Sequence, residues 1–83
     1  MVTKKALVDW TVEILRDNGG SAHHIDIAKQ IWLRHEDDLR RSGVLFYTWQ
    51  YDLRWAGKIL RDRGVIEPVT GAGRGDGVWR LAR

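Results

Sequence analysis

The side chains best able to recognise another molecule lie close together: Tyr47, Thr48, Gln50, Tyr51, Arg54, Lys58 and Arg61. At about 100° per residue in a helix, most of them fall opposite Trp49, Leu53, Ala56 and Leu60, which recur at steps of four, three and four. An apolar stripe backed by a basic, hydrogen-bonding stripe suits a helix that packs on a core while facing phosphates and base edges. Gln50 and Arg54 have the geometry for bidentate contacts with adenine and guanine, worth about 1–3 kcal/mol each in discrimination. Thr48 joins them as a candidate base contact. Lys58 and Arg61 lie further along and suit phosphates, contacts that position without specifying. Tyr47 and Tyr51 can hydrogen-bond phosphate or stack on a flipped base. The competing reading is a solvated helix face with no particular task.

Other chemistry is poorly supported. His23 and His24 precede a second helix, whose N-terminal amides could receive a phosphate, or they are two partly exposed histidines in a turn. His23, His24 and His35 with Glu36, Asp37 and Asp38 match no zinc spacing, and the chain has no cysteine, so no metal or cofactor is expected. The run Gly71-Ala72-Gly73-Arg74-Gly75-Asp76-Gly77 is neither a dinucleotide fingerprint nor a P-loop. Arg74 within it is a candidate phosphate or minor-groove contact, on a loop too glycine-rich to hold it still. No nucleophile stands beside a base in any recognisable pattern, so the expectation is a chain that is not an enzyme.

The elements that position the basic stripe follow from periodicity and punctuation. Thr3 suits a helix N-cap, and Leu7, Val8, Trp10, Ile14 and Leu15 form an apolar face that ends at Asn18-Gly19-Gly20. Ser21-Ala22-His23 has room for a stub of strand. A second helix starts near Ile25 with its core side at Ile27, Ala28, Ile31 and Trp32, and residues 35–41 either extend it or form a charged loop. Ser42-Gly43 breaks the chain, and Val44-Leu45-Phe46 should bury beside the third helix. That helix is expected over about 48–63, closed by Gly64 with Arg61 and Arg63 at its negative end. Val65–Val69 reads as a short strand ending at Pro68, residues 70–77 as a turn, and Val78–Ala82 as a strand with Trp79 and Leu81 inward and Arg80 outward. Trp55 falls opposite Leu53, so it either packs under the hairpin or belongs to a binding surface.

The order is helix, strand stub, helix, helix, hairpin: mostly α with a small β-hairpin, a winged helix-turn-helix of three helices and a two- or three-stranded wing. In such a fold the last helix enters the major groove. Composition agrees. The 83 residues make one small domain spanning 1–83, and 43% hydrophobic content argues against disorder. No apolar run approaches the roughly 20 residues of a membrane span, and charge enters the first residues at once, so an intracellular, cytoplasmic protein is expected. The net charge is +3; residues 1–43 carry seven basic and seven acidic side chains, and residues 44–83 carry seven and four. The whole excess therefore lies in the third helix and hairpin, where a footprint for nucleic acid belongs.

The run from Asp52 to Glu67, with Arg54-Trp55-Ala56 within it and Gly64-Val65-Ile66-Glu67 at its exit, is closed by Gly77-Val78-Trp79-Arg80-Leu81. It resembles the N-terminal winged-helix domain of Mrr-type restriction endonucleases, and Gly19-Gly20 before the second helix is similar too. The resemblance covers most of the chain. It implies a winged helix, binding of double-stranded DNA, and target recognition for a restriction system with an attached or associated nuclease domain. The segment 71–77 is longer than the tight basic turn of that family. No Lys is preceded two places earlier by an acidic residue, so the acidic-x-Lys signature of the family's nuclease core is missing, and the chain is expected to be a fragment or a stand-alone module. A protein-interaction domain on the same scaffold, using Tyr51, Trp55 and the hairpin edge, is the alternative.

Overall fold

Three helices and a two-stranded antiparallel sheet make up the structure, a computed structural model that describes residues 2–68 and 77–82. In chain order they are α1 (Lys5–Asp17), β1 (Ser21–His23), α2 (His24–Arg40), α3 (Leu45–Asp62) and β2 (Val78–Arg80). Among the described residues no helix is long and apolar enough to cross a membrane.

The spacing of Leu7, Ile14 and Leu15 buries one side of α1 completely, with Thr11 among them. The Thr11 hydroxyl donates to the Leu7 carbonyl at 2.7 Å, so the buried polar group is satisfied within the helix. Thr3 does not cap by its side chain as expected. Lys4 takes the cap position without a side-chain bond, and Thr3 contributes its carbonyl, which accepts from the Ala6 amide at 2.9 Å. At the far end the Gly20 amide reaches back to the Leu15 carbonyl at 2.7 Å and turns the chain into β1.

The α2 helix runs through the charged segment to Arg40, with a kink at His35 (φ −128°, ψ 24°). The His35 imidazole lies flat on Trp10 of α1, with centroids 3.8 Å apart and planes within 5°. Beyond the kink Leu39 returns to the core alongside Ile27 and Ile31, all three completely buried. Arg34 ties α2 to α1 by 2.7 Å and 3.2 Å contacts with Asp17 and Glu13. The hydrogen bond that Arg34 donates to the Asp17 carboxylate is the main reason its pKa stands above the ordinary arginine value. Such solvated pairs fix register more than they stabilise.

α3 begins at Leu45, a turn earlier than periodicity from Trp49 suggested. Leu45 extends the apolar series one step of four upstream, and the five residues Leu45, Trp49, Leu53, Ala56 and Leu60 are all buried. Val44–Phe46 is thus not a segment packed beside the third helix: Leu45 and Phe46 form its first turn. Leu45 is buried, Phe46 is half-buried, and Val44 is 77% exposed. The preceding turn is closed by Ser42, whose hydroxyl donates to the Leu39 carbonyl at 2.5 Å.

The sheet joins the two ends of the domain. β1 and β2 pair antiparallel with Ala22 opposite Trp79, flanked by Ser21–Arg80 and His23–Val78. On its other side the same segment meets residues 65–67: Ile66 bridges Leu81, the Glu67 amide donates to the Arg80 carbonyl and the Ala82 amide to the Val65 carbonyl. The expected strand at 65–69 is therefore a single bridge among the described residues, because Pro68 has no amide to continue the ladder. Trp79 and Leu81 turn inward and Arg80 outward, as alternation requires.

Candidate nucleic-acid interface

The burial of Leu45, Trp49, Leu53, Ala56 and Leu60 fixes which side of α3 faces out. Tyr47, Gln50, Tyr51, Arg54 and Lys58 are all exposed and lie within a sector of about 100° on the helical projection. Tyr47 is 84% and Tyr51 75% exposed, so two aromatic rings stand in solvent with nothing of the described chain over them except the edge of Phe46 against Tyr47. Arg54 and Gln50 form no hydrogen bond or ion pair through their side chains with any described residue. Lys58 holds Asp62 one turn on at 3.0 Å; both groups are well exposed, and a pair of that kind is weak enough to exchange for a phosphate.

Two residues of the expected set are not free on that face: Thr48 lies off it, and Arg61 lies within its sector but is partly covered. Thr48 is half-buried on the flank of α3, and its hydroxyl donates to the Asp52 carboxylate at 2.8 Å. Arg61 is half-buried too: its guanidinium lies 5.4 Å from the Trp79 ring centre, and its Nε is buried without a partner among the described residues. The long arginine stem covers apolar surface where a free phosphate contact was anticipated. Arg74 lies outside the described residues. Trp55 packs at the margin of the core, but its ring is faced by the Lys4 ammonium at 4.6 Å rather than by the hairpin.

The face is held rigidly. Trp79 of β2 seats on α3 at Gly57, where a Cβ would come within 2.7 Å of Cη2 and 2.8 Å of Cζ2 of the indole. Only glycine leaves the helix bare enough for that approach. The last strand and its sheet are thereby fixed to the middle of the helix that carries the exposed stripe.

His23 has a structural task. Its Nδ1 accepts from the Ile25 amide at 3.1 Å, so the protein's own imidazole occupies one of the α2 N-terminal amides considered for phosphate. Its ring stacks on His24 at 4.5 Å and abuts Gly77, whose φ of +79° and close approach to His23 both exclude a side chain. His24 stays exposed.

Between α2 and α3 runs an open groove of about 950 Å³ that periodicity did not reveal. Its floor includes Ala28, Trp32 and Phe46, and its rim Lys29, Gln50 and Arg54. Trp32 and Phe46 read as core candidates in the sequence, yet both are half-buried and present surface to the groove. Lys29 is the groove residue that composition and charge do not single out; its signal is a spacing of three from Trp32 and four from Ile25, which puts all three on one side of α2. Arg40 lies over the aromatic pair, 5.2 Å from the Trp32 ring and 5.8 Å from Phe46. Among the described residues no group of His, Asp and Glu is placed to hold a metal ion. Comparison with protein-family models, curated proteins and solved structures finds no match for this chain.

Proposed function

We propose that this domain is a winged helix-turn-helix that binds double-stranded DNA, with α3 in the major groove; the glycine-rich wing expected at 70–77 lies, apart from Gly77, outside the described residues. The observation that carries the reading is the outward face of α3, where Tyr47, Gln50, Tyr51, Arg54 and Lys58 stand exposed together on a helix locked from behind by its apolar stripe and by Trp79. The succession of α2, a short turn and α3, followed by a strand returning beside β1, supports the same architecture. Gln50 and Arg54 then read base edges, and Lys58 and the tyrosines hold backbone phosphates. The resemblance to the N-terminal domain of Mrr-type endonucleases supports a target-recognition role in a restriction system, with nuclease chemistry supplied elsewhere and none by this domain.

Arg54 and Lys58 are the cations on the exposed face of α3. If together they displace the counterions of two phosphates, the affinity should fall about 12-fold between 50 and 200 mM salt, from a slope of roughly −0.9 per phosphate. A titration of intrinsic tryptophan fluorescence with short duplexes at the two salt concentrations measures it. The double variant Arg54→Glu/Lys58→Glu, altered only at exposed positions, should keep its circular dichroism spectrum and lose binding; undiminished binding by the folded variant removes this face from the proposal. Val44, Tyr47 and Tyr51, large and exposed, also suit a protein partner. That reading predicts no duplex binding at any salt.

A further inference from the structure

We infer that the groove between α2 and α3 receives one unstacked nucleotide of the bound DNA, its base on the Trp32–Phe46 floor and its phosphate at the Lys29–Arg54 rim. The inference rests on the DNA-binding reading of α3 and adds to it a second mode of contact. Three observations carry it. No carboxylate lines the groove, while Lys29 and Arg54 stand at its rim and pair with no carboxylate among the described residues, so the occupant is anionic. The floor is aromatic: Trp32 and Phe46 lie 6.3 Å apart with their planes 40° from parallel, and the Arg40 guanidinium is 5.2 Å and 5.8 Å from the two rings. Both rings are half-buried and present surface to the groove against which a planar ring can pack. Gln50 and Arg54 belong both to the groove and to the outward face of α3, so a strand lying on that face passes the mouth of the groove.

Planar and anionic together describe a nucleotide. A groove of about 950 Å³ has room for one, being at the upper end of the roughly 300–1,000 Å³ of ordinary ligand pockets. The Gln50 amide, with donor and acceptor both uncommitted among the described residues, is placed to read the edge of the extruded base. Extrusion costs least where the base is already unpaired, so the groove should show itself as a preference for a duplex with a mismatched or bulged nucleotide.

The test compares the whole chain on two duplexes that differ only by a single unpaired nucleotide at the centre, by fluorescence anisotropy of labelled DNA. The unpaired duplex should bind about tenfold tighter, the effect of one base–aromatic stack. Trp32→Leu should bring that ratio to near one and leave paired-duplex affinity within about twofold. Lys29→Ala, at an exposed position, should reduce the ratio as well. The Trp32 indole N–H resonance, assigned by its loss in Trp32→Leu, should shift with the unpaired duplex and not with the paired one. Equal affinity for the two duplexes overturns the groove while leaving DNA binding by α3 intact; so does a groove filled by an acidic peptide in preference to either DNA. Failure to bind either duplex at low salt removes both readings at once.

Discussion

Adding one methyl group at Gly57 tests the packing that sets the outward face of α3. An alanine in mid-helix normally gains about 1 kcal/mol over glycine. Here its Cβ would lie 2.7 Å and 2.8 Å from two ring atoms of Trp79, far inside the 3.5–4.0 Å of a favourable carbon contact. The indole is only 9% exposed and has the Arg61 guanidinium 5.4 Å from its ring centre, so it cannot swing away without dragging β2 along. Overpacking of this kind costs about 1–3 kcal/mol, which exceeds the propensity gain. Gly57→Ala should therefore destabilise the domain by about 1 kcal/mol, a drop of about 4–8 °C in Tm for a chain of this size. In a Trp79→Leu background both offending ring atoms are gone, and the same substitution should stabilise by up to about 1 kcal/mol. Thermal unfolding followed by circular dichroism closes the double-mutant cycle, with an expected coupling of about 2 kcal/mol. If Gly57→Ala raises Tm equally in both backgrounds, Trp79 does not rest on α3, and the account of how the sheet steadies that helix is wrong.

The cap and the flank of the helices give two further tests. His23→Ala should cost about 1 kcal/mol in urea unfolding by freeing the Ile25 amide, whereas His23→Asn, a good cap residue, should recover most of it; equal losses in both would assign the effect to the stack on His24 instead. Thr48→Val should leave DNA affinity within about twofold because its hydroxyl serves Asp52, while Gln50→Ala should weaken binding to a preferred sequence about tenfold. A larger loss from Thr48→Val than from Gln50→Ala would return Thr48 to the interface.

Periodicity and punctuation were good guides wherever an element had one buried side. The series ending Trp49, Leu53, Ala56, Leu60 located the core face of α3, and Asn18-Gly19-Gly20 and Gly64 located helix ends. They failed where a contact crossed the chain. That Arg61 lies on Trp79, and so is partly covered, depends on where β2 lands, eighteen residues later in sequence. Thr48 lies off the stripe by its place on the helix, about 120° from Arg54 at 100° per residue, and its hydroxyl serves Asp52 one turn on. The start of α3 does not show in the periodicity because Ser42-Gly43 makes a shorter break than its residue types imply; the Phe46 amide already bonds the Gly43 carbonyl at 3.1 Å. The groove could not be read at all. It exists because two helices cross with Ala28 between larger neighbours, and Trp32 and Phe46 look like any other core aromatics until both helices are in place.

The arrangement of charge explains how a net of only +3 can serve an anionic ligand. On the seam between α1 and α2 Arg34 is held by Asp17 and Glu13, and within α2 Arg40 is held by Glu36 at 2.7 Å. Those pairs contribute almost no field beyond a Debye length of about 8–10 Å. Along α3 the two acidic side chains are placed differently from the basic ones: Asp52 turns to Thr48 on the flank, and Asp62 stands at the C-terminal end against Lys58. Arg54 at the middle of the helix and Lys29 across the groove are two cations on this side with no carboxylate partner among the described residues. A side chain in that position meets a phosphate without first breaking an ion pair, so nearly all of its attraction is available to the complex. Few such residues are present, which makes affinity modest and strongly dependent on salt, and it leaves discrimination to Gln50, the exposed tyrosines and the aromatic groove beside them.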